Sequence, residues 1–78
     1  MTDLKETLYG IARAIVDNPD EVSIVENENG KEVKLILSVA ESEMGKVIGK
    51  NGKNAKAIRT VMKAVAASDG RRVIVDIR

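Results

Sequence analysis

Gly49-Lys50-Asn51-Gly52 constrains the fold of this chain more than any other stretch. Before it, Ser42, Met44, Val47 and Ile48 have the spacing of a short helix. After it, Ala55, Ile58, Val61, Met62, Val65 and Ala66 form the apolar stripe of a longer helix, with Lys56, Arg59 and Lys63 on its other side. Four residues bounded by glycines leave room only for a tight turn between the two helices. Glycine ends a helix readily because it reaches backbone angles closed to other residues. Gly70 closes the longer helix, and Val73, Val75 and Ile77 then alternate as a strand with one buried side. The second half of the chain is therefore predicted as helix, tight turn, helix, strand.

The first half supplies what that unit packs against. Leu4, Leu8, Ile11, Ala12, Ile15 and Val16 follow helical spacing, which predicts a helix over about residues 3–17. Thr2 or Asp3 can cap it, and Asp3 with Glu6 has capping-box spacing. Asn18-Pro19 ends it, because a residue before proline avoids the helical region. Val22 to Val25 and Val33 to Val39 read as strands over about 21–27 and 31–39, joined by an Asn29-Gly30 hairpin turn. A hairpin makes the first two strands antiparallel, and a two-helix crossover makes the second and third parallel. The expected fold is α+β: a three-stranded mixed sheet with three helices on one face, in one domain over residues 1–78. Ile36 and Ile74 fall out of step with the buried face, which puts them on the open side of the sheet, where they hint at a partner surface. Tyr9, the only aromatic residue, sits at the edge of the first helix's stripe.

Charge divides this chain more sharply than its net of +1 suggests. Residues 1–43 carry four basic and ten acidic residues, and residues 44–78 carry nine basic and two acidic, so the halves stand at −6 and +7. Residues 45–59, GKVIGKNGKNAKAIR, hold three of the six glycines and five of the thirteen basic residues, with no acid. A glycine turn that opens onto a helix presents unpaired N–H groups and a partial positive charge, which suits a phosphate. Lys50 adds a full charge at the tip, Asn51 offers hydrogen bonds, and Lys46 and Lys53 flank the turn. Two better-known phosphate motifs do not apply. A P-loop needs glycine where Val47 stands and Ser or Thr where Asn54 stands, and a dinucleotide fingerprint also needs glycine at Val47.

Other functions are disfavoured. The chain has no Cys and no His, which removes disulfides, thiolate or imidazole metal sites, and His- or Cys-based catalysis. Glu41 and Glu43 lie near the turn without a base, nucleophile or metal cluster, so the chain is read as non-enzymatic and without cofactor. One aromatic residue is too few for a base-stacking platform. No apolar run is long enough for a membrane span and no signal-peptide pattern opens the chain, so a cytoplasmic location is expected.

VIGKNG, residues 47–52, resembles the VIGxxG signature of KH RNA-binding domains. The element order, with the loop between the second and third helices, resembles the type II, bacterial arrangement, αββααβ. The likeness runs over nearly the whole chain, including IVDNPDEV, and is greatest to the small bacterial single-KH proteins of the KhpA family. That resemblance implies a cleft for single-stranded RNA, gripped at a GxxG loop. Gly49 and Gly52 match the motif glycines, Lys50 and Asn51 its variable tip, and Ile48 the aliphatic that lines the groove. Lys46 and Val47 would stand in the same wall, and Lys53 would flank the turn. Lys56 and Arg59 would extend the backbone track, the second strand around Leu35 to Leu37 would form the opposite wall, and the hairpin Glu26 to Lys31 can border the site. The resemblance further implies a small RNA regulator or chaperone tied to cell shape, working as a homodimer or as a heterodimer with a second KH-containing protein. The alternative is a protein-interaction adaptor that dimerises through the same fold with little RNA affinity of its own.

Overall fold

A computed structural model describes residues 3–78. Helix α1 spans Leu4–Ile15, strands β1 and β2 span Ser23–Asn29 and Glu32–Ser38, helices α2 and α3 span Met44–Ile48 and Lys53–Ser68, and strand β3 spans Arg72–Ile77. The order is αββααβ, as the patterning predicts. Three short 3₁₀ turns at Pro19–Glu21, Glu41–Glu43 and Lys50–Gly52 are additions to it.

Local chemistry sets the ends of these elements. Asp3 caps α1 by accepting the Glu6 N–H at 3.1 Å; Thr2, the other predicted cap, lies outside the described residues. The helix stops two residues short of the predicted end, with Val16 already extended (φ −89°, ψ 157°). The next two N–H groups, of Asp17 and Asn18, go to the Glu43 carboxylate instead of to helix carbonyls. Gly30 takes φ 64° in the hairpin turn. At the end of α3 the Arg71 N–H reaches back to Ala66 O at 2.9 Å and the Gly70 N–H to Ala67 O at 3.0 Å. With Gly70 at φ 71° this is a Schellman stop, and it turns the chain directly into β3.

The sheet order is β1-β2-β3, with β1 antiparallel and β3 parallel to the central β2. Val33, Leu35 and Leu37 point from β2 into the core, where they meet Leu4, Leu8, Val47 and Met62, all fully buried. Each such side chain contributes about 1.5–3 kcal/mol by leaving water. The other sheet face is uncovered. Ile36 is half-buried there and Ile74 exposed, as expected, and Val25, which pairs with Ile36 across the strands, joins them. One predicted core residue is not in the core: Val61 is 48% exposed. The buried stripe of α3 is Ala55, Ile58, Met62 and Ala66, and position 61 lies at its flank, where nothing covers it.

Candidate nucleic-acid interface

Helix α2 ends because Gly49 adopts φ 76°, ψ 173°, a conformation essentially reserved for glycine. The site is also too crowded for a side chain, since a Cβ on Gly49 would stand 2.7 Å from Asn54 Cγ and 2.9 Å from Asn54 N. Asn54 fills that space to make a bond: its Nδ2 donates to Lys46 O at 2.8 Å, fastening the start of α3 to α2 across the turn. Asn51 follows at φ 57° and Gly52 at φ 75°, and the Gly52 N–H closes the turn on Gly49 O at 3.1 Å. Asparagine is among the few L-residues that tolerate that region. No side chain caps α3; the Lys53 N–H closes instead on Lys50 O within the turn.

Around this turn most of the predicted residues come together. Lys50, Asn51, Lys53 and Lys56 are exposed. Val47 is fully buried while Ile48 is 39% exposed, which is the division of labour that their adjacency demands. Arg59 leaves the helix toward β3, where its Nε donates to Val75 O at 3.2 Å. Arg59, Lys63, Val73, Ile74 and Val75 line a depression of about 220 Å³ there, and a second of about 490 Å³ continues past Lys63 to Arg72. A cationic helix flank thus faces an aliphatic strand edge along much of α3.

This geometry corrects the expected far wall. Leu35 and Leu37 are fully buried and cannot line a groove. The crossover lays β3 outside β2, so β2 is central and β3 is the strand edge that α3 leaves accessible. The hairpin is also remote from the loop: Arg72 N–H donates to Lys31 O at 2.9 Å, at the opposite end of a 16-residue helix that spans about 24 Å.

Lys46 is not a free cation. Its Nζ is ion-paired with the Asp17 carboxylate. That hydrogen bond raises the Lys46 pKa, partial desolvation opposes it, and the Asp17 and Glu43 charges add to the rise, so the ammonium is fully formed at neutral pH. Behind the pair lies a residue whose structural role the sequence does not reveal. Glu43 is only 3% exposed, and its carboxylate accepts the Asp17 N–H and, at 3.1 Å, the Asn18 N–H. It is a structural acid that ties the chain after α1 to the start of α2. No local pattern gives this away, because Glu43 sits in the 3₁₀ turn before α2 and its partners lie 25 and 26 residues earlier.

Among the described residues no cluster of His, Cys, Asp or Glu is arranged to hold a metal ion, and no helix is long and apolar enough to cross a membrane. A family model for the KH domain of KhpA/KhpB matches residues 5–77. The chain belongs to this KH-domain family. Over 74 residues it is 50% identical to the RNA-binding protein KhpA of Clostridium acetobutylicum, covering 95% of this chain and 99% of that one. It is 42% identical to the KhpA of Aquifex aeolicus over 77 residues, with 99% and 98% of the chains covered, and 39% identical to that of Bacillus subtilis over 79 residues, with the same coverage. The KH fold also superposes, at a TM-score of 0.67 and 21% identity, on part of Aquifex aeolicus Era in a crystal structure bound to GDP·AlF4⁻. That match covers 95% of this chain and 29% of the Era chain, and it bears on the fold alone. The KH family is not an enzymatic one, in keeping with the non-catalytic sequence reading.

Proposed function

We propose that this KH domain binds single-stranded RNA in the cytoplasm, with the strand's backbone on the Gly49–Gly52 loop and its bases against Ile48 and the α3–β3 edge. The observation that carries the reading is the Gly49–Gly52 turn at the start of α3, with Lys50, Lys53 and Lys56 exposed around it. Relatives named as RNA-binding proteins support it. Phosphate oxygens accept from the exposed lysines. Bases lie on aliphatic side chains, since no ring is available for stacking in the groove. Each strand gains few contacts, and a KH loop clamps only about four nucleotides. Modest affinity from one such groove favours work as a pair, with a second copy or another KH-containing protein, as a small RNA regulator or chaperone.

Competition between a single-stranded oligoribonucleotide and duplexes of the same sequence, repeated over a range of salt, tests the reading. The single strand is expected to win. The logarithm of affinity should fall against the logarithm of salt with a slope of about −2 to −3.5, as for three to five neutralised phosphates. Equal competition by duplex, or affinity indifferent to salt, sinks the reading. A chain that dimerises without RNA yet binds no oligonucleotide instead carries the adaptor alternative, which the exposed Val25 and Ile74 on the open sheet face favour.

A further inference from the structure

The Lys46–Asp17 pair stands at the border of the proposed RNA site, and nothing in RNA binding calls for an acid there. Lys46 is one turn before Gly49 on α2, and its own carbonyl holds Asn54. Among the described residues the ion pairs are Lys46–Asp17, Arg71–Asp69 and Arg78–Asp76. The loop cations Lys50, Lys53 and Lys56 take part in none of these. Asp17 is also held from behind, because the buried Glu43 carboxylate accepts its N–H and that of Asn18. The backbone of Asp17 is thus fixed beside α2, and its exposed carboxylate reaches Lys46 from there.

We infer that Asp17 sets the affinity of the site as a built-in competitor of the RNA backbone: its carboxylate occupies the Lys46 ammonium in the free protein, and a phosphate must displace it. The inference rests on the RNA reading above. Two consequences follow from charge alone. Lys46 adds little net attraction, because its charge is exchanged between two anions. The displaced carboxylate stays beside the loop, with Asp20 and Glu21 exposed in the next turn, and repels a strand on that flank. The strand is steered toward the other side, along Lys53, Lys56, Arg59 and Lys63.

A double-mutant cycle on the full chain tests this, with a fluorescent oligouridylate of about eight nucleotides, twice the length one KH loop clamps. Asp17→Asn is expected to tighten binding about 3- to 5-fold at low salt and to steepen the salt slope by about 0.7, the share of one further phosphate on a single strand. In a Lys46→Gln background the same change should gain less than about twofold, because the competed charge is gone. Melting temperatures of the variants, close to that of the parent, establish that folding is unchanged. No gain from Asp17→Asn, or an equal gain in both backgrounds, overturns the inference while loop-dependent binding of the parent leaves the RNA reading standing. Absence of binding by both the parent and Asp17→Asn sinks the reading and the inference together.

Discussion

Lys50→Asp combined with Asn51→Asp is expected to weaken RNA binding at least about 100-fold at low salt while leaving the fold intact. The exchange removes one cation from the loop tip and adds two anions where the backbone is proposed to rest. A charge-assisted hydrogen bond contributes about 1.5–3 kcal/mol, and its loss joined to repulsion by two carboxylates makes a penalty of about 3 kcal/mol a low estimate. The fold should tolerate the change for a local reason. Both side chains are exposed, and Asn51 sits at φ 57°, ψ 26°, where aspartate is among the residues best accommodated. Fluorescence anisotropy against one oligonucleotide, with circular dichroism and thermal melting alongside, reads both halves. Binding that survives unaltered in the folded variant removes the loop from the site.

Glu43→Ala is expected to destabilise the fold clearly without touching the RNA site. The lost carboxylate is the acceptor for two backbone N–H groups, at Asp17 and Asn18, and it also leaves a small cavity beside the core. Bonds to a charged acceptor and the exposure of their donors together put the loss at about 1.5–3 kcal/mol, with some relief because residues 17 and 18 are reached by water. In a domain this small that lowers the melting temperature by roughly 6–24 °C. Glu43→Gln keeps one acceptor oxygen and should lose clearly less. Equal melting of Glu43→Ala and the parent would show that these two bonds do not hold the turn. Unlike the loop variant, a cooled Glu43→Ala sample should still bind RNA, which separates a scaffold role from a binding role.

The parts of this molecule that sequence resolves are those written in local chemistry. Asn29-Gly30 demands its turn, Gly49 and Gly52 demand theirs, and the alternation of Val33, Leu35 and Leu37 points those residues inward wherever the strand lies. That same alternation argues against Leu35 and Leu37 as a groove wall. A residue aimed at the core cannot also face a ligand, and the family likeness had suggested the wrong strand. What sequence conceals is pairing across distance. Glu43 reads only as an acid near the loop until its partners, 25 and 26 residues earlier, are known. Lys46 reads as one more loop cation until Asp17 is found on it. Val61 fits a helical stripe by spacing, yet burial depends on what packs against each side of α3, and nothing reaches that flank. Arg59 and Lys63 are legible as a basic stripe, whereas their facing β3 across a groove is a product of the crossover.

The most direct test of the central claim is an amide NMR titration of the labelled chain with single-stranded RNA. The account predicts that the resonances of Gly49 to Asn54 move first and farthest, followed by those of Lys56, Arg59, Lys63 and the β3 residues Val73 to Val75. Shifts confined to the open sheet face around Val25 and Ile36, with the loop silent, would contradict it.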